Sequence, residues 1–212
     1  MLVLILKVVV AYLLGSVSGS LLLGRRAGFD IREAGSGNAG GTNALRTRGW
    51  RFALGVVLID VSKGALAVWL ALLVPTLESS PGRYVEALAC GFAAAIGHVL
   101  PLYYGFRGGK GAATVVGTFL VLCPLGLPPV LLLWLGVLGW TGYVGLATVV
   151  AALSLAPVVA WIAPGITDLR TYALACTVLL VLTHSGNLWR LCRGTEHRFE
   201  RARVLARAFG RR

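Results

Sequence analysis

Apolar residues run along this chain in long unbroken blocks, and polar residues are confined to short intervals between them. A helix crossing a bilayer needs about 20 apolar residues at about 1.5 Å each. Leu2 to Leu23 is the first such block. Lys7 lies near its start, where the ammonium can snorkel. Gly15 and Gly19 form a G-x-x-x-G beside Ser16 and Ser20, a stripe along which another helix can approach. A chance match in a glycine-rich chain accounts for it equally well. Gly24 to Arg51 reads as a hydrophilic loop with eight charged residues, six of them Arg. Phe52 to Val74 is a second span. Asp60 and Lys63 sit within it three residues apart, on one helical face, where they pair structurally or support a site from below. Pro75 to Arg83 reads as a turn, and Tyr84 to about Tyr104 as a weaker third span.

Ala112 to Ala163 contains no charge and is too long for one helix. Pro124, Pro128 and Pro129 predict one break, and the Gly142 region a second, with Trp140 and Tyr143 at interfacial level. Thr171 to Leu188 is the last span. The arginine-rich first loop points to the cytoplasm, as does the tail from Arg190, with eight Arg against two Glu. A cytoplasmic C-terminus and an outer N-terminus require an odd number of spans. The expected fold is therefore all-α: a polytopic integral membrane protein of seven transmembrane helices rather than five. It forms a single domain over 1–212, ending in a basic cytoplasmic tail at about 190–212.

Composition agrees with that pattern. The chain is 57% hydrophobic and 13% charged, with a mean hydropathy of +0.81. A soluble domain is about 45–50% apolar and about 25% charged. The net charge of +12 follows mainly from basic residues beside the spans, and it also suits an anionic substrate or lipid. Nucleic acid is not expected as a partner, since these residues do not form a soluble basic face. Leu2 to Leu23 is too long for a signal h-region, and Arg25 and Arg26 follow it instead of preceding it, so it reads as a span. Cys90, Cys123, Cys176 and Cys192 are far apart and form no C-x-x-C, which argues against a disulfide frame or a zinc site.

Three polar motifs lie at the ends of apolar blocks. The first is Gly35-Ser36-Gly37-Asn38-Ala39-Gly40-Gly41-Thr42-Asn43, closed by Arg46. Its unshielded amides can form an anion-binding nest, and Arg46 adds a planar fork suited to phosphate. The second is Gly105-Phe106-Arg107-Gly108-Gly109-Lys110-Gly111. It fails as a Walker A sequence, because Tyr104 stands where the first Gly belongs and Gly111 follows the lysine. A phosphate cradle of glycine amides and Lys110 remains. The third is His184-Ser185-Gly186-Asn187 with Arg190, where His184 offers a proton acceptor. The expected topology puts all three on the cytoplasmic side. No metal or cofactor is expected: His98, His184 and His197 lie in different segments without a carboxylate cluster. There is also no G-x-S-x-G elbow. A reaction on an already activated substrate such as a phosphoric anhydride fits best. An organic-phosphate transporter is the alternative, although a carrier favours sites near the midplane.

At these residues the chain resembles the bacterial acyl-phosphate:glycerol-3-phosphate acyltransferase family, the PlsY type. The matching pieces are Asp30-Ile31-Arg32 with the first motif; Asp60-x-x-Lys63-Gly64; Gly97-His98-x-x-Pro101 with the second motif and Thr114; and His184-x-x-Asn187-x-x-Arg190-Leu191-x-x-Gly194-x-Glu196. They occur in the family's order and cover nearly the whole chain. Gly41 stands where the family usually has Ala, Arg107 where it has Lys, and Ser18 where Pro is common.

The resemblance implies transfer of a fatty acyl group from acyl phosphate to the 1-hydroxyl of glycerol 3-phosphate, giving lysophosphatidate and phosphate. The setting it implies is a bacterial inner membrane with a cytoplasm-facing site, the bilayer as partner, and acyl phosphate supplied by an enzyme that forms it. Ser36 and Arg46 would act at the reacting centre, and His184 and Asn187 would orient the substrates. Gly37, Asn38, Gly40, Gly41, Thr42 and Asn43 of the first motif would bind substrate. So would Gly108, Gly109, Lys110 and Gly111, with glycerol 3-phosphate on this second motif. Either His184 or a substrate phosphate would take the hydroxyl proton. Amides around Gly40 to Thr42 would stabilise the oxyanion, and Glu196 would pair an arginine.

Overall fold

The computed structural model describes residues 1–75 and 82–209. The turn expected over Pro75 to Arg83 falls largely outside them. All regular structure among the described residues is helical, in two compact units, Met1–Leu122 and Cys123–Arg212.

The first unit holds α1 (Leu2–Gly15), α2 (Gly19–Arg26), α3 (Gly41–Leu73), α4 (Arg83–Val99) and α5 (Ala112–Leu122). Its pattern is inside out relative to a soluble protein. On α1 the exposed residues Leu2, Ile5, Leu6, Val9 and Val10 recur at helical spacing, while Ala11 and Gly15 are buried. Small residues line the interior: Ala11, Ala67, Ala71, Ala87, Cys90 and Ala94 form one cluster. An outward apolar stripe over a small-residue core is the arrangement of helices solvated by lipid and packed by close approach.

The first apolar block is not one straight helix. It bends by 49° between α1 and α2. The two glycines of G-x-x-x-G consequently face different partners. Gly15 lies against the Ala94 carbonyl of α4, and Gly19 against Val56 and Ile59 of α3. Each contact leaves no room for a Cβ.

The polar loop expected up to Arg51 already becomes helical at Gly41. This helix leaves helical geometry once, at Gly49, with φ 82°. Gly41 packs against the side chain of Val57. Sixteen residues of straight helix would hold them about 24 Å apart. The segment before Gly49 is therefore folded back on the segment after it, and the membrane-length part of α3 begins near Trp50, close to the expected Phe52. Helices α3 and α5 form the tightest seam: Gly64 abuts the Thr114 carbonyl, and Gly117 abuts the Val61 carbonyl. The order of these contacts makes the two helices antiparallel.

The second unit holds α6 (Leu127–Thr141), α7 (Val144–Ile162), α8 (Thr167–Thr183), α9 (Ser185–Cys192) and α10 (Val204–Phe209). Both expected breaks are present. A 3-10 turn at Pro124–Gly126 precedes α6, and Gly142 in the left-handed region (φ 77°) separates α6 from α7. Trp134 Nε1 donates to Thr148 Oγ1 at 3.2 Å, and Thr177 Oγ1 to the Ala152 carbonyl at 2.6 Å, tying α6 to α7 and α7 to α8. The last expected span, Thr171 to Leu188, is interrupted at His184, where α8 and α9 meet at 53°. The basic tail turns back on the α6–α7 turn: Phe199 N–H donates to the Gly142 carbonyl, and Arg198 Nε to that of Thr141.

By length and hydropathy, the described residues contain four spanning helices, or six if each bent pair crosses once. The seventh apolar segment, α5, has 11 residues, about 16 Å of helix against a hydrocarbon core of about 30 Å.

Candidate active site

In the first unit the first two glycine motifs form one structure. Arg32 joins them. Its guanidinium pairs with Asp30 (Nη2–Oδ2 2.6 Å) and donates through Nη1 to the carbonyls of Tyr104 at 3.0 Å and Arg107 at 3.2 Å. The hydrogen bonds from Arg32 hold the Asp30 carboxyl below the usual aspartate value. The first loop, at Asp30 to Arg32, is thus fastened to the second at Tyr104 to Arg107.

Asn43 shapes the loop that carries Ser36. It is buried, and its Oδ1 accepts from the Ser36 N–H at 3.0 Å. Its Nδ2 donates to the carbonyls of Ile31 at 3.1 Å and Ala34 at 2.9 Å. The sequence places Asn43 among the substrate-binding groups, but these bonds engage its amide inside the protein. Gly35, at φ +61°, lies so close to Asn43 Oδ1 that no side chain fits there. Ser36 and Gly37 are exposed at the loop's crest, and Asn38 lies with its amide over Gly40.

Gly40 caps α3, so the amides of Gly41, Thr42 and Asn43 form the first turn. Such amides have no intrahelical acceptor, and they carry the positive end of the helix dipole. Arg46 stands one turn further along, exposed.

In the second motif the structure gives two glycines a task the sequence did not indicate. Gly108 N–H donates to the Val99 carbonyl at 3.2 Å, and Gly109 N–H to that of His98 at 3.1 Å. These amides cap the end of α4 and are not directed at a ligand. A Cβ on Gly108 would strike the His98 carbonyl and Pro101, and one on Gly109 would strike His98 Nε2 and the Ala39 carbonyl. The anion-binding candidates of this motif are then Lys110, Gly111 at φ +88°, and the first turn of α5. The hydroxyl of Thr114 in that turn is buried without a hydrogen-bond partner among the described residues.

The Ala39–Gly109 contact brings the chain entering α3 against the chain entering α5. Two helix N-termini thus lie near one another, with Lys110 at the entry to α5 and Arg46 one turn into α3. Anionic oxygens bind where such termini converge.

In the second unit, His184 is buried at the junction of α8 and α9. Its Nδ1 lies 2.8 Å from the Leu180 carbonyl, which can only accept. Nδ1 therefore carries a proton, and in the neutral ring the lone pair lies on Nε2. The Glu196 carboxylate accepts from Asn187 Nδ2 at 2.6 Å and from Arg190 Nε at 2.8 Å. It fixes the face shared by these two side chains. Gly145 allows α7 to pass directly over Asn187. No group of three or more metal-ligating side chains occurs among the described residues.

The family model described as glycerol-3-phosphate acyltransferase matches residues 5–194. A glycerol-3-phosphate acyltransferase of Actinobacillus pleuropneumoniae is 43% identical over 192 residues, covering 90% of this chain and 93% of the relative. One from Allorhizobium ampelinum is 40% identical over 194 residues, covering 91% and 90%. Among solved structures, PlsY (YgiH), an integral membrane glycerol 3-phosphate acyltransferase, matches in its glycerol 3-phosphate form with a TM-score of 0.85. That match has 32% identity and covers 95% of this chain and 98% of that one. Its lysophosphatidic acid form matches with a TM-score of 0.84. The transporter alternative finds no support here. With a family model spanning both units and relatives covered almost end to end, the chain belongs to the glycerol-3-phosphate acyltransferase family.

Proposed function

We propose that this protein transfers a fatty acyl group from acyl phosphate to the 1-hydroxyl of sn-glycerol 3-phosphate, releasing lysophosphatidate and inorganic phosphate. The observation that carries this reading is the convergence of the N-termini of α3 and α5 beside Lys110, within a chain of this family. Both substrates present phosphate oxygens, and helix-terminal amides with a lysine are suited to them. Phosphate is a good leaving group, so the carbonyl carbon needs no prior transfer to a protein nucleophile.

In the proposed mechanism glycerol 3-phosphate binds at Lys110, Gly111 and the first turn of α5, with Gly108 and Gly109 shaping that loop. Ser36, Gly37, Asn38 and Gly40 lie along the acyl phosphate, while Asn43 holds the loop for them. The amides of Gly41 and Thr42 stabilise the oxyanion that forms when the 1-hydroxyl attacks. Arg46 balances the growing phosphate charge. His184 Nε2 and Asn187 orient substrate, and the hydroxyl proton passes to His184 or to a substrate phosphate. The match over residues 5–194 supports treating the chain as one catalytic domain. The arginine-rich first loop and tail support an outer N-terminus, an odd number of crossings and catalysis on the cytoplasmic side of a bacterial inner membrane; seven crossings require the short α5 to count as one beside the six. An acyl-phosphate-forming enzyme would supply the donor.

The test uses purified protein in lipid nanodiscs with glycerol 3-phosphate and, separately, acyl phosphate, acyl-CoA or acyl carrier protein as donor. Lysophosphatidate should form from acyl phosphate alone. Product from a thioester donor would overturn the donor assignment, and no product from any donor would overturn the reaction.

A further inference from the structure

Beneath the second glycine motif lies a buried polar network. Lys63 Nζ, on α3, is 2.8 Å from the Val17 carbonyl, 3.0 Å from Asp60 Oδ1 and 2.8 Å from His98 Nδ1. Asp60 Oδ1 also accepts from the Gly19 N–H at 3.0 Å. The side chains of Asp60, Lys63 and His98 are 1%, 3% and 4% exposed, so these bonds are shielded from bulk water.

An ammonium has three N–H donors and no lone pair. Val17, Asp60 and His98 occupy all three. His98 Nδ1 also lies 3.4 Å from Asp60 Oδ1, but Lys63 at 2.8 Å is the nearer partner, so Nδ1 accepts from the ammonium and the neutral ring carries its proton on Nε2. Nε2 is the atom against which Gly109 packs, and the His98 carbonyl accepts the Gly109 N–H. His98 thus holds Gly109 by ring and backbone together. Lys110 is the next residue, and α5 begins two residues after it.

A buried pair in a span is often only a structural tie. The Lys7–Glu86 pair near the opposite end of α4 is one: its lysine also bonds the Ala71 and Val74 carbonyls at the end of α3 and touches no site residue. The Asp60 network ties α3 to α4 as well, but its outer member lies against the anion-binding loop.

We propose that Asp60, Lys63 and His98 are positioning residues that set the Gly108–Lys110 loop, and through it Lys110, for glycerol 3-phosphate. The inference rests on the acyltransferase reading for its substrate but not for its geometry. His98 is the discriminating position. His98→Asn keeps an acceptor where Nδ1 stands, enough for Lys63, and leaves the place of Nε2 empty. His98→Gln puts an amide where Nε2 stands.

The test measures steady-state kinetics and hydrogen–deuterium exchange at residues 105–112 on the full chain in nanodiscs. His98→Asn should raise KM for glycerol 3-phosphate by about tenfold or more, the scale of a misplaced binding group, with KM for acyl phosphate unchanged. Exchange at residues 105–112 should rise with it, and His98→Gln should recover most of both. The double variant Lys7→Met/Glu86→Gln should lower Tm without moving either readout. A His98→Asn protein with wild-type KM and wild-type exchange would overturn the proposal. So would an exchange increase equal to that of the Lys7/Glu86 control. If the wild type forms no lysophosphatidate, the acyltransferase reading fails, and the exchange data alone decide the positioning role.

Discussion

The backbone N–H of Ser36 donates to Oδ1 of Asn43 at 3.0 Å, so a residue of the first turn of α3 holds the loop that precedes that helix. Removing the amide by Asn43→Ala takes the acceptor from the Ser36 N–H and one of two donors from the carbonyls of Ile31 and Ala34, which keep the N–H groups of Ala34 and Gly37. Each lost bond of this kind is worth about 0.5–1.5 kcal/mol. Thermal unfolding should show a lower Tm, and kcat should fall because Ser36 is no longer fixed. An Asn43→Ala enzyme with wild-type kcat would argue against a role for the loop at the reacting centre.

Lys110→Ala should act on one substrate. A charge-assisted hydrogen bond is worth about 1.5–3 kcal/mol, which corresponds to about a tenfold to hundredfold rise in KM for glycerol 3-phosphate. KM for acyl phosphate should change little. Equal rises for both would mean that the lysine serves a shared phosphate site.

Two glycine-to-alanine changes on α3 should have opposite outcomes. At Gly64 the new methyl meets the Thr114 backbone and the helices must separate, with a loss of about 1–3 kcal/mol. At Gly41 the methyl meets only Cγ2 of the exposed Val57, at 2.8 Å, and no backbone atom, so a small shift of the folded-back segment relieves the contact. Gly41→Ala should therefore leave Tm and activity close to wild type. Differential scanning of both proteins in one detergent checks the contrast.

The Asp30–Arg32 clamp has a defined pH response. Bonding to Arg32 depresses the folded-state pKa of Asp30. Its stabilising contribution is therefore complete above the ordinary aspartate value and is lost as pH falls through the depressed one. Stability from this pair should be flat across neutral pH and decline only in strong acid. Asp30→Asn should remove that acid-side component from a Tm-versus-pH curve; an unchanged curve would show that the pair does not contribute.

Glu196 holds Asn187 and Arg190 with one carboxylate. Glu196→Gln retains at most one of these acceptor contacts and should lower kcat more than Glu200→Gln, which affects only a solvent-exposed pairing of tail arginines. Equal effects would mean that Glu196 serves only to fold the tail.

The sequence by itself determined the membrane class, the two breaks at Pro124 and Gly142 and the family. Bilayer thickness dictates the length of an apolar block, and Pro and Gly interrupt helices wherever the chain goes. Ser36, Arg46, Lys110 and His184 could be named as candidates because they stand in polar motifs at the ends of spans that match the family's pattern. Contacts between distant residues could not be read this way. Gly49 folds the start of α3 back against Val57, and only that fold brings the entry to α3 against Gly109. Asn43, a substrate ligand by the family resemblance, bonds the protein because its loop curls over it. Gly108 and Gly109 looked like phosphate-binding amides, but they sit where α4 ends with unsatisfied carbonyls, and those carbonyls take their N–H groups. His98 gave no signal beyond its motif until Lys63 was found 2.8 Å from its ring. A hydrogen bond spanning 35 residues depends on how two helices cross, and hydropathy along the chain carries no record of that.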